Sequence, residues 1–395
     1  MLRNVKMKAP IYLDYMATTP CDPDVVMAMQ ACLDMSGCFG NPASKTHIFG
    51  DLAYQRVLEA RDQVASLINA DGKEIVWTSG ATESDNLAIK GAALFYQRQG
   101  KHIITMSTEH KAVLDACKNL ESQGFEVSYL SPNKDGLLNL DELKKSIRDD
   151  TILISIMHVN NETGVIQDID AITKIAKDHG IIMHCDATQA IGKLSWDVKK
   201  TPVDLLSFSA HKIYGPKGVG GLYVRHNPRV RLEPQIHGGG HQAGMRSGTL
   251  PTHQIVGMGE AFKLASQRFS IDNEHVELLR DALWSQLSQL PNVTLNGDAD
   301  HSIPGVLNIR INDIQAETLI LRCPGIAISS GSACNSANPK PSHVLAAMGL
   351  SDQAARECVR ISVGRFTTQA DVDNAAKILC QQITELRALL PVTLK

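Results

Sequence analysis

Lys212 closes a mostly apolar run, Val203 to Phe208, that ends in Ser209-Ala210-His211-Lys212 and is followed by the glycine-rich turn Tyr214-Gly215-Pro216-Lys217-Gly218-Val219-Gly220-Gly221. In an α/β sheet, ligands bind where strands end. A partly desolvated lysine has a lowered pKa, and its amine can form a Schiff base with a carbonyl. An isolated lysine is most often a solvated loop residue, so the argument rests on what accompanies it. Asn160-Asn161 and Asp186-Ala187-Thr188-Gln189 follow two other predicted strands, and Ser79-Gly80-Ala81-Thr82-Glu83-Ser84 joins a strand to a helix. A small-residue turn of that kind presents backbone N–H groups at a helix start, where phosphate binds. It is neither a Walker loop nor a dinucleotide-type G-x-G-x-x-G turn. His237 and His241 flank three glycines without a third ligand nearby. That pattern suits close backbone approach better than a metal.

The elements that must position these groups alternate. Strands are predicted at 74–78, 102–106, 126–130, 151–159, 181–185, 203–208 and 220–225, and helices at 24–35, 52–68, 85–95, 112–123, 140–147 and 170–179. This alternation predicts a mostly parallel sheet covered on both faces. A long helical stretch from about Val256 leads into a second domain. Its strands are predicted at 306–311, 326–329 and 359–362, its helices at 316–322 and 344–348, and a closing helix at 370–389. Residues 329–341 form a loop of small residues around Cys334.

The totals are those of a soluble globular chain: 395 residues, 43% hydrophobic, 21% charged, net charge −3. No strong field for nucleic acid or membrane is implied. Arg225, Arg229 and Arg231 form one basic cluster, read equally as a solvated strand or a docking patch. Met1 to Pro10 carries charges where a signal peptide needs an apolar core, and no apolar run is long enough to span a bilayer. Nine cysteines without C-x-x-C spacing suggest reduced thiols in a cytoplasm.

A Schiff-base lysine, an acid at a neighbouring strand end, a phosphate-binding helix start and a residue to pack on a ring together suggest pyridoxal phosphate. Lys212, Asp186, Thr82 with Ser209 and His211, and His110 fit these needs in turn. The chain resembles the cysteine desulfurases of the IscS/NifS type, within the class V aminotransferases. The matching segments include Tyr12-Leu13-Asp14-Tyr15, Ala17-Thr18-Thr19-Pro20, Gly40-Asn41-Pro42-Ala43-Ser44, Thr78 to Asn86 and Thr108-Glu109-His110-Lys111-Ala112-Val113. They continue through His158-Val159-Asn160-Asn161-Glu162, Asp186-Ala187-Thr188-Gln189, Ser209-Ala210-His211-Lys212, Arg246-Ser247-Gly248-Thr249 and Ser329-Ser330-Gly331-Ser332-Ala333-Cys334.

The resemblance implies the pyridoxal-phosphate fold type I: a large domain, 21–262, with a mostly parallel sheet between helices, and a smaller α+β domain of 1–20 and 263–395. It implies that Lys212 carries the cofactor, Asp186 meets the pyridine nitrogen and Gln189 the ring hydroxyl. Ala81, Thr82, Ser209 and His211 hold the phosphate, and Thr249 reaches it from the other subunit of a homodimer. His110 stacks on the ring beside Asn161, which also serves the substrate. Arg360 clamps the substrate carboxylate, and Cys334 accepts sulfur from L-cysteine, leaving L-alanine. No metal is implied beyond contact of Cys334 with a cluster during transfer. Cys334 would then pass sulfur to an acceptor protein, an iron–sulfur scaffold or a tRNA-thiolation relay, in the cytoplasm. His110 is a candidate proton acceptor for the Cys334 thiol. The other eight cysteines are read as structural.

Three departures touch partner surfaces. The sequence reaches Lys395 without the tail that helps IscS-type enzymes dock their scaffold, so the resemblance leaves open whether that mode of docking holds here. Ala243 stands where the family often has arginine, and His226 replaces a frequent basic residue. Competing readings are a selenocysteine lyase and a binding partner without turnover.

Overall fold

The computed structural model describes residues 10–330 and 341–390. In chain order the elements are β1 (Ile11–Tyr12), α1 (Pro23–Gln30), α2 (Ile48–Leu67), β2 (Ile75–Thr78), α3 (Ala81–Tyr96), β3 (His102–Met106), α4 (Lys111–Glu121), β4 (Glu126–Leu130) and α5 (Leu140–Ser146). There follow β5 (Thr151–Ser155), α6 (Ile169–Asp178), β6 (Ile182–Asp186), β7 (Leu205–Ser209), β8 (Gly220–Val224) and α7 (Thr252–Leu287). The chain closes with β9 (Val293–Leu295), β10 (Val306–Ile311), α8 (Ala316–Arg322), β11 (Ile326–Ala327), β12 (Ser329–Ser330), α9 (His343–Ala347), α10 (Asp352–Arg356), β13 (Cys358–Ser362) and α11 (Gln369–Ala388). Two compact units result: Thr18–Asn161 with Val165–Phe269, and Met1–Ala17 with Glu162–Gly164 and Ser270–Lys395.

The first unit holds a seven-stranded sheet in the order β2-β8-β7-β6-β5-β3-β4. Only β8 pairs antiparallel to its neighbours β2 and β7; the other pairings are parallel. The C-terminal ends of β2, β7, β6, β5 and β3 therefore share one edge. Strands β3, β5, β7 and β8 are buried at every position, as expected of a sheet covered on both faces. The edge strand β4 is partly exposed. Helices α3 and α4 pack their apolar stripes, including Ile89, Ala93, Val113 and Cys117, against Ile103 and Leu153.

Several boundaries differ from the sequence reading. Helix α1 ends at Gln30 rather than at Met35. The chain folds back there, with Cys38 N donating to Ala31 O at 2.9 Å. Helix α2 begins earlier, at Ile48, because the His47 imidazole accepts from Gly50 N. Strand β5 ends at Ser155, because Met157 N is diverted to the Glu109 carboxyl while Ile156 N and His158 N bond to β6 carbonyls.

The second unit centres on the antiparallel sheet β12-β13-β10-β9. Its core joins Leu307, Ile309, Val359 and Ile361 to Leu283, Leu319, Val372 and Leu379 of the flanking helices. Helix α11 starts with a reciprocal Thr368/Asp371 capping box. The N-terminal segment is stitched to this sheet: β1 pairs parallel with β11, Ser362 N donates to Leu13 O at 2.8 Å, and Met16 N donates to Ser362 Oγ at 2.9 Å.

Candidate active site

The turn after β2 is built to receive an anion. Helix α3 starts at Ala81 behind Gly80, whose φ of 152° and ψ of 178° suit only glycine, and no side chain caps the helix. The first-turn amides are thus left to a ligand. A Cβ on Gly80 would sit 4.0 Å from Ser209 Oγ, so the hydroxyl at the end of β7 stands beside the same turn. Strand β8 closes on this place because it is glycine there. A Cβ on Gly220 would lie 2.7 Å from Gly80 Cα, and one on Gly221 would lie 2.4 Å from the Phe208 ring. A pocket of about 420 Å³ runs between α3 and α4, lined among others by Thr82, Asn86, Lys90 and His110.

Lys212 ends a short 3₁₀ turn, Ala210–Lys212, directly after β7. Two threonines fix that turn. Thr19 donates through its N and Oγ1 to His211 O at 2.9 and 3.1 Å, and Tyr214 N donates to Thr19 Oγ1 at 2.7 Å. Thr18 Oγ1 lies 3.1 Å from His211 Nδ1. The sequence reading took Ala17-Thr18-Thr19-Pro20 only as a strand breaker. Burial, with Lys212, Lys217 and Lys193 nearby, pushes His211 down to about 4. It is therefore neutral and hydrogen-bonding near neutral pH.

Asp186 terminates β6, almost fully buried, and its Oδ1 accepts from Thr188 N at 2.9 Å. Behind it lie two acids that sequence reasoning passed over. Asp85 on α3 and Glu109 after β3 are both held well above the usual carboxylate range, first by burial and then by the Asp186 charge. His184, fully buried and pushed down to about 3 by burial, bridges Ser155 Oγ and Ser207 Oγ at 2.8 and 2.9 Å. The neutral imidazole thus ties β6 to the strands on either side. Buried polar groups give no periodic sequence signal, and only the motif segments around Asp85 and Glu109 marked their neighbourhood.

His110 caps α4, its Nδ1 accepting from Ala112 N at 3.1 Å. Burial lowers its pKa, a shift the Asp186 charge opposes and the Lys212 charge reinforces. A neutral imidazole whose Nδ1 accepts carries its proton on Nε2. In this capped geometry the Nδ1 of His110 is occupied as an acceptor, and Nε2 is the ring nitrogen left to face a ligand. Gln189 is buried, and its Oε1 accepts from Lys193 Nζ at 2.8 Å. Asn161 follows the buried Asn160, whose Nδ2 donates to Thr108 O at 3.1 Å. Thr249 lies exposed on the loop after Arg246, which pairs with Glu83 of the phosphate turn at 2.8 Å.

Arg360 belongs to β13 of the other unit. It is 7% exposed, and its NH2 donates to Asp14 Oδ1 at 2.9 Å. Glu162 is pushed up to about 7 by burial, against the Ser342 hydroxyl bonded to it and the Arg360 charge. Cys334 lies outside the described residues. Burial raises the thiols of Cys117 to about 12 and Cys358 to about 11. Of the basic cluster, Arg225 is buried, donates to Val203 O and faces Asp204 at 3.5 Å, so it is a structural residue. His241 Nδ1 accepts from Gly248 N at 3.0 Å.

An uncapped helix start beside a hydroxyl, a lysine turn and a buried acid on one sheet edge suit pyridoxal phosphate: the amides and Ser209 for its phosphate, Lys212 for its aldehyde, Asp186 for its ring nitrogen. Comparison with known proteins agrees. Residues 11–375 match the family described as aminotransferase class-V. The cysteine desulfurase IscS of Pectobacterium atrosepticum is 55% identical over 386 residues, covering 98% of this chain and 96% of that protein. Among solved structures, a NifS-like protein superposes with a TM-score of 0.88 at 36% identity, covering 96% of this chain and 100% of that one. A structure of SspA in complex with cysteine gives 0.79 at 39% identity, covering 90% and 99%. The chain belongs to the class V aminotransferases, in the branch of IscS/NifS-type cysteine desulfurases. It is a pyridoxal-phosphate-dependent enzyme of fold type I.

Proposed function

We propose that the enzyme moves the sulfur of L-cysteine onto Cys334 and releases L-alanine, with the roles divided as follows. Ala81 and Thr82 amides, Ser209 and His211 hold the cofactor phosphate, Asp186 the ring nitrogen, Gln189 the ring hydroxyl, and Lys212 the carbonyl carbon. His110 packs on the ring next to Asn161. When bound, pyridoxal phosphate supplies the electron sink that lets charge leave the substrate's carbon atoms. Lys212, once displaced by the substrate amine, takes the Cα proton. Arg360 holds the substrate carboxylate. The Cys334 thiolate then bonds to the substrate sulfur as the carbon–sulfur bond breaks. The electron pair of the broken bond stays on Cβ, which takes up a proton in place of the one lost by the Cys334 thiol; Lys212 returns its proton to Cα, alanine leaves, and a persulfide remains on the enzyme. Protein acceptors, an iron–sulfur scaffold or a tRNA-thiolation relay, would take that sulfur on.

The observation that carries this reading is the meeting of the uncapped α3 start, Ser209, Lys212 and Asp186 at one sheet edge. A second supports a homodimer in which Thr249 serves the partner's phosphate. Nine exposed large hydrophobics, Val26, Met27, Leu33, Met35, Phe39, Ile48, Phe49, Leu52 and Tyr54, crowd into one stretch around α1 and α2, and Thr249 is itself exposed. Exposed apolar surface in that concentration is the mark of an interface. The reading is tested with Cys334→Ala: cofactor binding should persist, while alanine and sulfide formation from L-cysteine falls at least about a hundredfold. Full-rate sulfide release by that variant would refute the assignment of Cys334.

A further inference from the structure

Asp14 holds two groups with one oxygen. Its Oδ1 accepts from Arg360 NH2 at 2.9 Å and from Ser329 Oγ at 3.1 Å. The backbone builds this meeting. Ser329 and Arg360 are register partners where β12 pairs with β13, and Asp14 bridges to Ser362 two residues along the same strand. Tyr12 OH donates to Asp14 O at 3.1 Å, which fixes the residue from its own segment. Arg360 and Ser329 are 7% and 6% exposed, so neither side chain is free to wander. Ser329 also precedes Cys334 by five residues in the chain. A guanidinium selects a carboxylate by the direction of its planar fork, and a fork without a fixed partner loses that direction to side-chain entropy.

We propose that Asp14 is the positioning residue of the substrate-carboxylate clamp, orienting the Arg360 guanidinium and the Ser329 hydroxyl through one oxygen so that preference for amino acids over simple amines depends on it. This rests on the reading of Arg360 as that clamp. Asp14 touches no reacting atom in this scheme and acts through Arg360 and Ser329. The Glu162 carboxyl is also within electrostatic reach of Arg360 and accepts from the Ser342 hydroxyl.

The test uses the holoenzyme and follows the absorbance of the bound cofactor while titrating L-alanine, which has a carboxylate, and ethylamine, which has none. The ratio of the two affinities is the readout, and it does not depend on turnover. Asp14→Ala should lower the ratio about tenfold or more, the size expected when a charge-assisted hydrogen bond is lost, with ethylamine binding unchanged. Asp14→Asn keeps an acceptor oxygen and should restore the ratio to within about threefold of wild type. Ser329→Ala, a milder change that guards against a misfolded alanine variant, should lower the ratio about two- to threefold. A wild-type ratio in Asp14→Ala alongside a collapsed ratio in Arg360→Ala would overturn the role of Asp14 and leave the clamp standing. A wild-type ratio in Arg360→Ala would overturn the clamp itself. Failure of Asp14→Asn to restore the ratio would also contradict orientation by hydrogen bonding.

Discussion

Glu162 is a carboxylic acid whose ionisation is set by its place in the fold. Burial lifts it to about 7 from an ordinary 4.5, even though the Ser342 hydroxyl and Arg360 favour its charged form. The folded state therefore binds this proton more tightly than the unfolded chain does. The contribution of Glu162 to stability is full below pH 4.5, falls as pH rises from there to about 7, and is level above. Glu162→Gln should match wild type near pH 4.5 and become the more stable protein above 7. The gap should reach roughly 3 kcal/mol, the free-energy equivalent of the shift. Chemical denaturation at the two pH values measures this, and parallel pH profiles for the two proteins would contradict it. Other residues teach the limits of reading a sequence. Lys212, Asp186 and the phosphate turn were legible because each follows a run of apolar residues with the right turn chemistry. Asp85, Glu109 and His184 were not, since a buried polar side chain is satisfied by partners distant in the chain. The cap on His110 was equally hidden: it depends on backbone geometry at α4, and it decides which ring nitrogen holds the proton.

At the scale of elements, the alternation of strands and helices was readable because β3, β5, β7 and β8 are buried throughout and each carries a short apolar run. Boundaries were less so. The early end of β5 is caused by Glu109, a residue of another element, taking the Met157 amide. The threonines after Asp14 looked like a strand breaker and instead pin the lysine turn. The β2–α3 turn depends on Gly80 in a conformation that other residues avoid, and a Cβ there would meet no atom closer than 4.0 Å. Gly80→Ala should therefore act through backbone strain rather than clash, costing about 1–3 kcal/mol and loosening the cofactor phosphate. Gly221→Ala should destabilise through overlap with the Phe208 ring, also by about 1–3 kcal/mol. Urea unfolding with and without pyridoxal phosphate separates them. The loss in Gly80→Ala should grow when the cofactor is present, and the loss in Gly221→Ala should not. Equal losses with and without the cofactor in Gly80→Ala would contradict a phosphate role for the turn.

At the scale of the whole molecule, the family resemblance carried by the motifs agrees with the fold and with the comparisons, while the assembly rests on surface chemistry. Apolar exposure around α1 and α2 has no counterpart in the composition, because 43% hydrophobic residues is ordinary for a globular chain. If the proposed homodimer forms through that stretch and brings Thr249 to a partner's phosphate site, placing a charge there, as in Ile48→Lys, should give a monomer in sedimentation velocity and weaken pyridoxal phosphate retention together. A monomeric wild-type protein that binds the cofactor fully would contradict both. The most direct test of the central claim is an absorbance scan of the purified protein before and after L-cysteine, with alanine and sulfide quantified under a reductant. A yellow chromophore that shifts on adding substrate, with alanine and sulfide in equal amounts, is the predicted result. A colourless protein that stays inert after pyridoxal phosphate is supplied would contradict it.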